Sequence, residues 1–186
     1  YDTNGETDKE NPYKYSVSDT SMANAFGIYG NGVIVVWNNI NRGLRIFDKE
    51  TLKLVKYINI SENVKDVHFG SNHLYICGTN HIFAVEREKL TTTADLQKVH
   101  KFEFPVSSAD FYGEALYVAE SSSITAGTIK KISLVDFSNI KETDICFLRS
   151  IPDVISYDRI TNSIAFGKKE DGKSSFDMKL SFWEKK

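Results

Sequence analysis

The sequence is poor in cysteine, with two, Cys77 and Cys146, in 186 residues. A small secreted domain stapled by disulfides carries more of them at framework spacing, so both are expected as buried thiols on strands rather than a bridge or metal ligands. Neither sign of charge is in excess: 23 Lys and Arg stand against 25 Asp and Glu, a net charge of −2. That excludes a nucleic-acid coat, a basic membrane patch or an acidic tail as the main feature. Apolar runs are short, as in Gly32 to Trp37, and none reaches the length of a membrane span. The chain opens at Tyr1 without Met, a basic start or an apolar leader, so either a segment has been processed away or this is part of a longer chain. Helical periodicity is missing as well. Its best candidate, Thr91 to Lys98, is short and falls in a loop between strands. G-x-S-x-G, H-E-x-x-H, a Cys–His signature and a Gly-Lys-Ser/Thr phosphate loop are all absent.

What is present is a folding composition: 41% hydrophobic, 12% aromatic and 26% charged residues. The length suits one domain, able to bury roughly 70% of the surface of its unfolded chain. Within it one unit recurs: apolar residues flanking a small or polar one, a Gly/Asn turn, then a short apolar strand. The copies run from Phe26 to Val35, Val67 to Ile76, Ala109 to Val118 and, more loosely, Ile155 to Phe166. Anchored on Ile28, Phe69, Phe111 and Tyr157, they are spaced by 41, 42 and 46 residues, a mean of 43. Each continues into a third strand ending in an acidic residue, at Leu44 to Asp48, Ile82 to Glu86, Ile132 to Asp136 and Leu180 to Glu184. A carboxylate at that place can accept a backbone N–H of the following turn. Fourth strands are expected at Leu54 to Ile60, Val99 to Phe104 and Cys146 to Ile151. The anchors should be core, together with Val35, Ile76, Val118 and Phe166.

Four short antiparallel strands per 40–45 residues is the pattern of a β-propeller blade. The segment Leu44 to Lys56 resembles the third-strand, acidic-turn, fourth-strand part of a WD-repeat blade, and Trp183-Glu184, Phe47-Asp48, Val85-Glu86 and Val135-Asp136 stand where that family has its Trp-Asp pair. No copy has the family's Gly-His pair. The expected fold is an all-β propeller of four blades. It is either a ring closed by the N-terminal strand Tyr13 to Ser18 beside the last strand, or part of a larger or split propeller. Residues 1–11 read as a flexible polar tail and 12–186 as the propeller domain.

The absence of a reaction motif directs the functional reading to a protein-interaction platform without catalytic activity, bound to another protein or within a complex. The alternative is a small-ligand or carbohydrate enzyme at the channel mouth. Trp37, Arg42 and Phe176, on hairpins between second and third strands, are the candidate partner contacts, although Trp37 also suits a packing role. His68, Asp110 and Ser156 share a place in the innermost strands with Gly27 and are candidates to line the channel. No metal, cofactor, nucleic acid or membrane span is expected. An intracellular location, cytoplasmic or nuclear, is expected, with the sequon Asn59-Ile60-Ser61 leaving a processed secreted form open.

Overall fold

The computed structural model describes residues 26–38, 43–92, 96–123, 126–169 and 178–184. They form four antiparallel sheets, each strand paired with its neighbour in sequence. The first sheet holds β1 (Phe26–Gly30), β2 (Val33–Asn38), β3 (Gly43–Asp48) and β4 (Leu54–Asn59). The second holds β5 (Asp66–Phe69), β6 (His73–Cys77), β7 (His81–Glu86) and β8 (Gln97–Lys101). The third holds β9 (Val106–Tyr112), β10 (Ala115–Glu120), β11 (Gly127–Ser133) and β12 (Lys141–Leu148), and the fourth β13 (Val154–Asp158), β14 (Ser163–Lys169) and β15 (Met178–Glu184). No helix among the described residues is long and apolar enough to cross a membrane.

Local chemistry sets the turns. Asn31 and Gly32, between β1 and β2, both take positive φ, 51° and 75°, as a tight two-residue hairpin requires. Asp48 and Asp136 fill the role expected of the acidic residue after the third strand. Asp48 Oδ1 accepts the N–H groups of Glu50 and Thr51, and Asp136 Oδ1 accepts that of Ser138. Glu86, one methylene longer, does not cap its turn and pairs with Lys89 instead.

The sheets stack in sequence, and period-two alternation sends successive side chains of the middle strands to opposite neighbours. Val35, Leu44 and Ile46 meet Val67, Leu74, Ile76 and Phe83 between the first and second sheets. Tyr75, Cys77 and Ile82 meet Phe111, Leu116, Val118 and Ile132 between the second and third. Tyr117, Ala119 and Ile129 meet Ile155 and Ile164 between the third and fourth. The first strands of successive sheets lie side by side, as blades do around an axis. Among the described residues no core joins the fourth sheet to the first. The strand expected at Tyr13 to Ser18 lies outside them.

The strand boundaries differ from expectation on the outer edge. The fourth strand of the third sheet begins at Lys141, not Cys146, and that of the second sheet covers Gln97–Lys101, not Val99 to Phe104. Outer strands face water, so polar runs such as Lys141-Glu142-Thr143-Asp144 serve there without an apolar signal. Of the expected core, Val35, Ile76, Val118 and Phe111 are buried, whereas Ile28, Phe69, Tyr157 and Phe166 are half-buried. In the first repeat the sequence alignment is one residue out. Ile28 pairs with Val35 on the face turned to the second sheet, the place that His68 and Asp110 hold in the next two, while Gly27 points the other way. A one-residue slip exchanges the two faces of a strand.

Candidate functional site

The turns between first and second strands, and between third and fourth strands, fall at one end of a four-stranded meander. Hydrogen bonds tie them into a common face. Asn31 Nδ2 donates to the Arg87 carbonyl at 2.9 Å, Arg87 N–H to the Asn72 carbonyl at 2.9 Å, and Leu134 N–H to the Glu114 carbonyl at 2.8 Å. On this face a cleft of about 320 Å³ opens between the second and third sheets. Ser71, Asn72, His73 and Tyr75 line it from the second sheet, and Glu114 and Leu134 to Phe137 from the third.

Glu114 is the hinge of the cleft. Its Oε1 accepts the Ser71 N–H at 2.7 Å, and its Oε2 accepts the Tyr75 hydroxyl. Burial works to raise its carboxyl, but those hydrogen bonds and the field of His68 outweigh it and hold Glu114 below the usual carboxylate range. Tyr75 is shifted the opposite way, because burial and the hydrogen bond to Glu114 both push its phenol up. The Tyr75 ring reaches this position because residue 70 is glycine: a Cβ there would come within 2.3 Å of the ring. His73, Tyr75 and Phe137 form an aromatic wall, with the His73 and Phe137 centroids 4.9 Å apart and those of Tyr75 and Phe137 5.9 Å apart. Asp136, exposed on the rim, starts the short 3-10 turn Phe137–Asn139.

The channel candidates His68, Asp110 and Ser156 sit on the first strands β5, β9 and β13. His68 is half-buried and stacks on Phe111, centroids 5.7 Å apart. Burial pushes its imidazole down, opposed by the charges of Glu114 and Asp110. Asp110 Oδ2 accepts the Tyr157 N–H at 2.7 Å. Asp66 Oδ2 does the same for Phe111 N–H at 3.1 Å, and Ser108 Oγ for Ile155 N–H at 3.0 Å. These side chains therefore fasten β5 to β9 and β9 to β13, and Asp110 is one of the fasteners. Ser156 is exposed one sheet further on. Among the described residues no three His, Cys, Asp or Glu side chains gather to hold a metal ion. Trp37 is 5% exposed and packs in the first inter-sheet core. Arg42 and Phe176 lie outside the described residues.

The opposite end of the sheets is held by ion pairs. Glu62 Oε2 accepts the Asn80 N–H at 2.6 Å, and its other oxygen meets His81 Nδ1, clamping the turn between β6 and β7. Buried Glu120 lies 2.8 Å from Lys130 Nζ, which is 3.2 Å from Glu142, itself 3.1 Å from His100. Lys130 is the partner of opposite sign for both Glu120 and Glu142 there.

No family model and no curated protein sequence matches the chain. Solved structures do match its fold. Hydrazine synthase of Kuenenia stuttgartiensis aligns with a TM-score of 0.57 and 14% identity, over 82% of this chain and 43% of the other. A chain of the S. cerevisiae assembly of Dbp5 bound to Nup159 and Gle1 aligns with a TM-score of 0.52 and 14% identity, over 81% and 40%. The β-propeller domain of Cps50 (Swd1) from Myceliophteria thermophila aligns with a TM-score of 0.54 and 10% identity, over 76% and 52%. The fold is thus that of a β-propeller, built from blades packed in sequence. The chain spans about half or less of the length of the structures it matches.

Proposed function

We propose that the protein is a binding platform for another protein, without turnover of a substrate, and that its docking face is the one carrying the cleft. The observation that carries this reading is the set of apolar side chains left in water on the turns at that end of the sheets: Val135, at the cleft, is 78% exposed, Tyr112, after β9, 45%, and Ile160, between β13 and β14, 86%. Large apolar groups clustered with aromatic and acidic neighbours on rigid turns are the composition of a recognition surface. The non-catalytic part rests on the motif-free sequence and on Glu114, whose two oxygens are already engaged in hydrogen bonds. Among the fold's neighbours the Dbp5–Nup159–Gle1 assembly is a protein complex and hydrazine synthase is an enzyme by name, so the fold alone leaves the choice to the site. An intracellular setting, cytoplasmic or nuclear, goes with this proposal, since Cys77 and Cys146 are both unbridged. No cofactor and no nucleic acid form part of it.

Co-purification with the tagged chain tests the face. The pair Tyr112→Ser with Ile160→Asp, both at exposed positions, should reduce partner recovery at least about tenfold while the melting curve stays intact. The pair Arg42→Ala with Phe176→Ala, the partner contacts expected from the sequence, should leave recovery unchanged. The reverse pattern would move the docking site to those residues.

A further inference from the structure

We propose that the cleft between the second and third sheets receives an arginine side chain of the partner protein. This rests on the platform reading above. The lining holds two carboxylates, Glu114 and Asp136, and no Lys or Arg. It also holds a wall of three rings in mutual contact. A carboxylate rim over aromatic faces favours an organic cation, through charge and through the ring quadrupole. At about 320 Å³ the space accommodates a long side chain with its terminal group.

Arginine fits this lining better than lysine, because a planar guanidinium stacks on a ring and forks onto a carboxylate at once. At the neighbouring turn the chain itself holds a guanidinium over a ring, with backbone carbonyls in place of the carboxylate. The Arg87 guanidinium lies 5.6 Å from the Phe69 ring centroid, and its Nη1 donates to the carbonyls of Gly70 and Ser71 at 2.9 and 3.2 Å. Arg87 is thus committed to the backbone behind the Ser71 wall. The two acids have different parts. Glu114 supplies field, since both its oxygens are bonded. Among the described residues Asp136 is bonded through Oδ1, to the N–H and hydroxyl of Ser138, which leaves Oδ2 to meet a guest at the exposed rim. Val135 beside it gives the partner's main chain an apolar shelf.

The test is an NMR titration of the full chain with the peptide acetyl-Gly-Gly-Xaa-Gly-Gly-amide, Xaa being arginine, citrulline or lysine, and with L-arginine alone. The arginine peptide should shift the resonances of 71–75, 114 and 134–137 saturably and bind at least about tenfold tighter than the citrulline peptide, which keeps the shape and lacks the charge. It should also outbind the lysine peptide and free arginine. Asp136→Asn keeps an acceptor for Ser138 N–H, so the turn survives, and should weaken the arginine peptide roughly five- to tenfold. Equal binding of arginine and citrulline, an unchanged Asp136→Asn, or free arginine binding as tightly as the peptide would overturn the proposal. Should the peptides fail while Tyr112→Ser with Ile160→Asp still loses the partner, the arginine receptor falls and the platform stands.

Discussion

Asp66 heads β5 with its carboxylate turned inward, accepting the N–H groups of Val67 and Phe111. Burial dominates its titration and lifts it from 3.8 to about 6, with the charge of Asp110 adding and the two hydrogen bonds opposing. In the unfolded chain the proton leaves near 3.8, so across the window from about pH 4 to 6 the folded state holds a proton that the unfolded state has lost. The stability contributed by Asp66 is therefore fully present below pH 4 and declines as pH rises through 6, by on the order of 2–3 kcal/mol. Asp66→Asn, which cannot titrate, should gain stability relative to the parent between pH 4 and 7.5 in denaturant unfolding. A difference that is flat with pH would contradict this. Single residues were the hardest part to read from sequence. Asp110 reads as a channel group and Trp37 as either a partner contact or a packing residue, because the sequence identifies their position in a repeat and not the backbone N–H or neighbouring sheet each one meets. Glu114 and Tyr75 pair across 39 residues and two sheets, a distance at which no local pattern signals a contact.

At the scale of the element, the first strands carry both the registration of the sheets and the axis of the molecule. Ser108 and Asp110 sit two apart on β9, on the same side, and fasten two alternate N–H groups of β13, those of Ile155 and Tyr157. Removing either acceptor leaves an N–H unpaired at the junction of the third and fourth sheets, at a cost of about 1–3 kcal/mol. Because both hold the same strand, Ser108→Ala and Asp110→Ala should be non-additive in a double-mutant cycle of unfolding free energies, with a coupling above about 0.5 kcal/mol; additive losses would show that the two fasteners act independently. The second strands were the most legible, since both their faces are buried. The β6 and β10 runs Leu74-Tyr75-Ile76-Cys77 and Leu116-Tyr117-Val118-Ala119 are apolar throughout, since each is covered by a sheet on either side. The outer strand β12 was misplaced by five residues because only its inner face has a neighbour to bury against.

On the scale of the whole molecule, the repeat was legible because each copy must solve the same packing problem, and a period near 43 survives the loss of any one signature residue. The end sheets differ from the inner ones. Tyr29 holds the place that Phe69 and Phe111 hold in their sheets, yet it is 62% exposed, as no preceding sheet packs on it among the described residues. The face proposed for docking differs from the second-to-third-strand hairpins expected from the sequence, and it forms only when turns from separate blades are brought to one end. That face is tested most directly by placing a photo-crosslinking amino acid at position 160, or in a separate preparation at position 122 on the opposite end, and irradiating the chain with its co-purified partner. The expected result is a covalent adduct with the partner from position 160 and none from 122. An adduct from 122 alone would contradict the placement of the binding face.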